Sequence, residues 1–232
     1  MAITHDTATE SHTGTTGSAS EPSFSWSHAG SASAQGILVF TFVNADADDV
    51  LGVTYGGLNL AKVPGGTAID TTTEPGRCVA WFHGTHVPGG TQTVVVTRNN
   101  NGNVIYAVSI TVLAAAGKIT SVAGVVLLEN DGTLAEQNVN DGSPGANSVR
   151  YAGVNSGLGT PPAQGASSTQ LHTIDFTARG ISVCQETTAG QGSRPVGFSS
   201  GTSDDRAAVH LAVIEVAPGT VPGTPVHSAA LA

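Results

Sequence analysis

The chain of 232 residues has few charged side chains, few aromatic rings and two cysteines. Charged residues make up 11% of it, against roughly 25% in an ordinary soluble domain, and the only lysines are Lys62 and Lys118. Eight cationic side chains against 17 acidic ones give a net charge of −9. This balance argues against a nucleic-acid binder, because such proteins carry a basic patch. The lack of Glu–Lys pairs argues against long solvated helices.

Long apolar runs are missing too, and none approaches the roughly 18 residues that a membrane span needs. Cys78 and Cys184 each lie in an alternating apolar run, which favours two small buried side chains, with a single disulfide as the alternative. The first residues contain acids and no Lys or Arg, unlike the basic start of a secretory signal. We therefore expect synthesis in the cytoplasm and no membrane partner.

Glycine is abundant, with 30 residues, and it separates segments in which apolar and polar residues alternate. Residues 37–43 are apolar at every position but one, which predicts a central strand buried on both faces. Gly56 and Gly57 fit a two-residue hairpin between strands. Ten or more short strands follow from such patterns, and no segment has sustained helical periodicity. The sequence predicts an all-β fold, an antiparallel β-sandwich or jelly roll, with long loops near 130–147 and 157–168.

The chain divides into three parts by composition. Residues 1–22 are predicted to be an extended N-terminal arm, residues 23–216 a single jelly-roll-like β-sandwich domain, and residues 217–232 a Pro/Gly-rich C-terminal tail. No internal repeat is evident in the sequence.

Eight histidines raise the question of a metal site. His83 and His86 are three apart on a predicted strand, so they point to opposite faces and do not converge. His172 and His210 lie on separate strands that could be neighbours. Asp46, Asp48 and Asp49 form an acidic turn without the spacing of a calcium loop. We predict no metal site and no cofactor.

Two catalytic patterns are absent from the sequence. It contains no H-E-x-x-H and no phosphate-binding glycine loop. A hydrolase with dispersed carboxylates would have Asp175, Glu186 and Glu215 as candidates, although one sequence does not show whether they meet. We predict no catalytic residue and no enzymatic activity.

Three large flat side chains are candidates for contact with a sugar or a partner. Trp26, Tyr55 and Trp81 each lie in an alternating run, where core or sheet-face packing is the more common role.

The order of four features resembles a known family. A VTYGG hairpin (Val53–Gly57) is followed by a strand with Trp81, a P-x-G-T turn (Pro88–Thr91) and a Val-rich strand (Val94–Val96). This series is similar to a β-sandwich module of bacteriophage virion structural proteins, seen also in bacterial surface proteins. The similarity covers residues 35–113 well and 170–216 loosely, and residues 118–168 depart from it. It implies a structural or adhesive role and brings no catalytic residues.

These observations predict a non-enzymatic phage virion structural protein, either a capsid decoration or minor capsid protein or a tail component. It would be located in the virion, contact other capsid or tail subunits, and form a homo-oligomer. Arm residues Thr4, His5, Thr13 and Thr16 would contact neighbours in the assembly. The alternative is a carbohydrate-binding or adhesive module of a tail fibre or cell surface, with Trp26, Tyr55 and Trp81 as stacking residues.

Overall fold

A computed structural model describes residues 3–7, 12–17, 20–84, 87–99, 102–114, 118–130, 132–142, 147–157, 159–176 and 179–216. These residues form 20 β-strands and no helix, and all their strand pairs are antiparallel. The predicted all-β antiparallel sandwich is therefore confirmed, and its jelly-roll form stays a prediction. Within the described ranges no helix is long and apolar enough to cross a membrane.

The first half of the chain builds two sheets. Inner sheet 1 has the order β10-β4-β8-β7, with β1 and β2 along the other side of β10, and outer sheet 1 has the order β3-β9-β5-β6. The strands are β1 (Thr4–His5), β2 (His12–Gly17), β3 (Ser23–Ala29), β4 (Gly36–Val43), β5 (Val50–Tyr55), β6 (Leu58–Asn59), β7 (Ala61–Asp70), β8 (Gly76–Gly84), β9 (Thr91–Arg98) and β10 (Ile105–Leu113).

The second half builds inner sheet 2 and a more broken outer layer 2. Inner sheet 2 has the order β11-β20-β14-β17-β16, and outer layer 2 consists of β12-β19-β15 and β13-β18. The strands are β11 (Lys118–Glu129), β12 (Gly132–Leu134), β13 (Gln137–Asn140), β14 (Asn147–Ser156), β15 (Ala163–Gln164), β16 (Ser168–Phe176), β17 (Arg179–Glu186), β18 (Ser193–Val196), β19 (Phe198–Asp204) and β20 (Arg206–Val216).

The two halves repeat one strand order. In inner sheet 1, β10, the last strand of the first half, pairs with the earlier strand β4. In inner sheet 2, β20, the last strand of the second half, pairs with the earlier strand β14. Two later strands follow, β8 and β7 in one half, β17 and β16 in the other. The other edge of β10 pairs with β1 and β2, the first strands of the first half. The other edge of β20 pairs with β11, the first strand of the second half. The chain is thus a structural tandem repeat, which the sequence does not reveal.

The sheets stack in four layers with three apolar cores. β4 shows this directly, because Leu38, Phe40 and Phe42 face a core shared with inner sheet 2, while Ile37 and Val39 face outer sheet 1. The predicted central strand is confirmed, since all eight residues of β4 are buried. A third core lies between inner sheet 2 and outer layer 2. The domain prediction placed one sandwich over residues 23–216, whereas two sandwiches packed through a shared core occupy that range.

The two halves contact each other at β7 and at β16. β7 of the first half packs on β11 and β20 of the second half, and β16 of the second half packs on β2 of the first half. Arg179 reaches across the junction and donates to the carbonyls of Glu74 and Pro75 in the β7–β8 hairpin. Burial lowers the pKa of Arg179, while surrounding carboxylates, Asp70 foremost, raise it.

The predicted arm is part of the sandwich wherever it is described. β1 and β2 both pair antiparallel with β10, so their backbone groups extend inner sheet 1. A segment rich in Thr and Gly supplies little apolar surface of its own, but the exposed edge of β10 offers it a hydrogen-bond ladder. The predicted tail, residues 217–232, lies outside the described residues.

Candidate contact surface

The outward side of outer sheet 1 carries small, uncharged side chains. β3, β9 and β5 lie side by side, with Ser25 opposite Val95 and Val95 opposite Thr54. Alternate residues on each strand project to solvent, about 6.8 Å apart along a strand and about 4.8 Å between strands. The result is a face of hydroxyl groups around the half-buried Val95. We call the hydroxyl face the residues Ser23, Ser25, Ser27, Thr54, Thr91, Thr93 and Thr97, all exposed or half-buried.

A cavity of about 360 Å³ adjoins the hydroxyl face at β5. Leu51 lines it and is 60% exposed, the most exposed large apolar side chain among the described residues. Gly52 also lines it, and a Cβ placed on Gly52 would meet no heavy atom within 4 Å. The missing side chain therefore keeps the cavity open toward solvent. A small apolar group of a partner fits such a depression better than a charged one.

Two of the predicted contact aromatics belong to the core. Tyr55 is fully buried, and burial raises its pKa to about 12. Trp81 is 3% exposed, donates its Nε1–H to Thr41 Oγ1 at 3.0 Å, and has the Lys62 ammonium 5.2 Å from its ring centroid. Neither ring presents a flat face to solvent.

Trp26 is half-buried on the inner side of β3. Its ring stacks on Phe24 with centroids 6.0 Å apart, and its Nε1–H donates to Ser109 Oγ at 3.1 Å. Trp26, Tyr55 and Trp81 therefore do not form a stacking platform on the outer face.

The four predicted arm residues lie along β10. Thr4 and His5 belong to β1, opposite Leu113 and Val112. Thr4 is exposed, and His5 is half-buried with Nδ1 3.4 Å from the hydroxyl oxygen of Tyr151.

Thr13 and Thr16 belong to β2, opposite Ser109 and Tyr106, and their side chains lie outside the description. The backbone of all four arm residues pairs within the chain itself, in a strand ladder that continues inner sheet 1.

Most of the described cationic side chains point inward. Arg98, Arg150, Arg179 and Arg206 are all buried, Arg150 completely. Arg150 donates to Glu186 at 3.0 and 3.2 Å, and its Nη2 lies 3.4 Å from Asp141. It also donates to the carbonyls of Val139, Gly190 and Gly192. The Arg150 guanidinium therefore holds the surrounding loops against β14. Because four arginines are buried, the exposed surface has less positive charge than the composition implies.

The three hydrolase candidates do not meet. Asp175 and Glu186 lie at opposite ends of the β16–β17 pair, opposite Gly180 and Ser168 respectively, about 20 Å apart along the strands. Glu215 lies on β20, opposite Asn147. Burial raises the pKa of Glu186, with Arg150 acting in the opposite direction, so this carboxylate belongs to the Arg150 network.

The histidines and acids considered for metal binding have other partners. His83 Nδ1 lies 3.2 Å from the carbonyl of Asn59, and His86 is outside the described residues. His172 bonds to Tyr106, whereas His210 lies beside Phe198, so these two histidines are not neighbours. Asp48 pairs with Lys62 at 2.8 Å. In the part of the chain that the structure describes, no three His, Cys, Asp or Glu side chains group to hold a metal.

Both cysteines are free and fully buried, which confirms the expectation of small core side chains.

Sequence reasoning missed the hydroxyl face, although its signal is the alternation of Ser and Thr in β3 and β9.

No protein-family model matches this chain, and neither a curated protein nor a solved structure does.

Proposed function

We propose that the chain is a non-enzymatic structural protein of a bacteriophage virion, as a capsid decoration or minor capsid protein or as a tail component. It acts through protein–protein contacts with other virion subunits and with its own copies in a symmetric assembly. The observation that supports this best is the uncharged hydroxyl face with its adjoining cavity. The virion setting follows from the resemblance of residues 35–113 to virion β-sandwich modules.

The chemistry of the hydroxyl face suits a docking surface. Ser and Thr side chains lose little rotamer entropy when a neighbour covers them, whereas Lys or Arg lose up to about 2 kcal/mol each. Hydroxyls also cost less to desolvate than charged groups and pair with backbone groups of a partner. Each contact is weak, but a symmetric assembly repeats it many times.

Three edge strands of the inner sheets are irregular, which favours contact with a partner through a sheet face rather than along an edge. Pairing is interrupted by a register shift in β7, in β11 and in β16. Irregular edge strands resist pairing with another chain, because their free N–H and C=O groups no longer form a straight row. A neighbour therefore finds a better surface on the flat hydroxyl face than along these edges.

The carbohydrate-binding alternative loses its main argument. Sugar stacking needs an exposed aromatic face, and Tyr55 and Trp81 are buried while Trp26 is covered by Phe24 on one side. The hydroxyl face itself contains no aromatic side chain. Protein contact is the better use of this surface.

Quantitative mass spectrometry of purified particles tests the setting. We expect the chain in the particles at a fixed copy number that matches a symmetry of the capsid or tail. Its absence from particles whose known structural proteins are all detected would contradict the proposal.

A charge placed beside the hydroxyl face tests the surface. A Cβ at position 52 meets no heavy atom within 4 Å, and Gly52→Arg puts a guanidinium at the cavity, so particle occupancy should fall at least about tenfold while the melting temperature stays unchanged. Gly201→Arg is the matched control, because Gly201 is exposed on β19 and also has no heavy atom near its Cβ position. Equal occupancy of the two variants would exclude this face as the docking surface.

A further inference from the structure

The imidazole ring of His210 is enclosed between inner sheet 2 and outer layer 2. His210 is completely buried on β20, which is flanked by β11 and β14, and Ala152 is its partner on β14. Its Nδ1 lies 3.3 Å from the Val126 carbonyl of β11. A carbonyl only accepts, so Nδ1 carries the hydrogen and Nε2 of the neutral ring is a bare acceptor. Among the described residues, no group donates to this Nε2.

Gly197, between β18 and β19, covers the ring from the side of outer layer 2. A Cβ on Gly197 would lie 2.8 Å from Nε2 of His210. The N–H of Gly197 donates to Ser168 Oγ at 3.0 Å. Its carbonyl accepts from the N–H of Gly165 at 2.9 Å and from the Cys184 thiol at 3.3 Å. A second hydrogen on the ring would therefore find no free acceptor at Gly197.

Two titratable side chains, Glu136 and Cys184, lie nearest to this contact. The Glu136 carboxylate accepts from the N–H of Ser167 at 2.7 Å and from Ser168 Oγ at 3.0 Å, so it already has partners. Burial raises the pKa of Cys184 to about 12, so this thiol stays neutral. Burial lowers the pKa of His210 to about 4, and the hydrogen bond to Val126 acts in the opposite direction.

The other charged side chains between these layers lie toward the two ends of the contact. Arg150 is opposite Ala212 and Arg206 is opposite Ser156, two and four residues along β20 from His210. The charged groups are Arg150, Asp141, Glu186 and Arg194 at one end, and Arg206 and Asp204 at the other. A charged His210 ring would thus lie in the apolar middle of the contact.

Outer layer 2 is held by short and interrupted strand pairs. β13 and β18 share four residue pairs, β15 and β19 share two, and the β12–β19 pair contains a register shift. The third core beneath this layer is also the smallest of the three. Segments with few apolar contacts and short ladders open locally at a lower free energy than the whole chain. Lifting this layer is therefore the least costly way to hydrate a charged His210.

We propose that acid detaches outer layer 2 from inner sheet 2 through protonation of His210, while the first sandwich and the shared core stay folded. Below pH 6.5 the opened form binds a proton that the closed form does not, so a falling pH favours opening. Opening exposes the apolar side of inner sheet 2, which consists of small side chains: Ala152, Val154, Ala208 and Ala212. The inference concerns the purified protein and stands apart from the virion proposal.

The two native cysteines are matched probes of this opening. Both are completely buried, but Cys184 lies in the third core whereas Cys78 lies in the shared core, where its thiol donates to the Gly153 carbonyl at 3.6 Å. The full chain is labelled with dithiodipyridine, which reacts with thiols in acid, and the labelled peptides are quantified by mass spectrometry. At pH 4 we expect Cys184 to be labelled at least about tenfold faster than Cys78, because local opening exposes only Cys184.

Variants at His210 test whether this ring is the trigger. His210→Gln and His210→Leu both remove the titrating group, and the two differ in polarity, so one of them suits the core if the other does not. The ratio of wild-type to variant labelling rates at Cys184 should rise at least about tenfold from pH 7 to pH 4. The reactivity of the thiol itself cancels in this ratio. His83→Gln, at a half-buried histidine of β8, is the control and should show no such rise.

Hydrogen exchange of the wild-type chain provides a second readout that needs no variant. At pH 4 the amides of β13 and β18 should exchange, after correction for intrinsic rates, while those of β4 and β10 stay protected. Equal labelling of Cys184 and Cys78 at pH 4 would overturn the proposal, because the whole chain would then be opening. A wild-type to variant ratio that does not change with pH would overturn it too, since another group would then be the trigger.

Discussion

The Thr111 hydroxyl donates to the Asp6 carboxylate over 2.8 Å and joins residues 105 positions apart in the sequence. Both groups are buried, where an unpaired polar atom is costly. The contact therefore ties the first strand to the last strand of the first sandwich. It also orients His28, whose ring lies between Ser109 and Thr111.

Replacing Thr111 with valine should lower the free energy of unfolding by about 1.5–3 kcal/mol. The change keeps the shape of the side chain but removes one donor to a buried carboxylate and one acceptor for His28. Urea unfolding measures the loss. Thr97→Val makes the same chemical change on the exposed hydroxyl face and should shift stability by about 0.5 kcal/mol or less. Equal effects of the two variants would contradict the buried contact.

Arg150→Met should destabilise the protein by about 3–5 kcal/mol, because Asp141 and Glu186 then lose the buried cation that contacts both of them. Arg194 contacts the same carboxylate at 3.1 Å, but its side chain is 37% exposed. Arg194→Met should therefore cost about 1 kcal/mol or less. Thermal or urea unfolding of both variants decides the point, and a similar loss in each would show that burial of Arg150 adds nothing.

The sequence predicts the local parts of this fold well. Apolar patterns identify β4, β5, β8, β9, β10 and β20, because strand residues that face a core are apolar. The nearly continuous apolar run in β4 even reveals that this strand is covered on both sides. These are properties of single segments, and each can be read from neighbouring residues alone.

Properties that depend on distant segments are not predictable in this way. The tandem repeat appears in the pairing of β10 with β4 and of β20 with β14. Asp6 meets Thr111, and Arg150 meets Glu186, only after the chain has folded. The hydroxyl face is predictable in part. The alternation of serine in β3 is visible in the sequence, but the sequence does not show which strands lie beside β3.

Acid should weaken the fold through His210. Burial lowers the pKa of His210 from its usual 6.5 to about 4, so below pH 6.5 the unfolded chain binds a proton that the folded chain does not. Stability that is present above pH 6.5 is thus lost as the pH falls toward 4, by about 3 kcal/mol in total.

His210→Gln removes this titrating ring, and its unfolding free energy should fall less steeply between pH 6.5 and 4. Denaturant unfolding at several pH values gives both curves. If the curves of His210→Gln and the wild type run parallel, His210 is not the group that titrates. An NMR titration of the ring provides a direct check.

The four-layer stack can be tested at one glycine. Gly153 of β14 faces Phe40 of β4, and a Cβ on Gly153 would lie 2.8 Å from a ring atom. Gly153→Ala should destabilise the protein by about 1–3 kcal/mol, because the shared core is already filled. Gly52→Ala is the control, since its Cβ meets no heavy atom within 4 Å, and it should be neutral or slightly stabilising.

Phe40→Leu combined with Gly153→Ala should recover part of the loss, because the smaller side chain makes room for the new methyl group. A double-mutant cycle gives the coupling between the two positions, and two residues in contact should couple by about 0.5–3 kcal/mol. Additive effects would mean that β4 and β14 do not touch. The inner sheets would then not share a core, and the two sandwiches would have to stand apart.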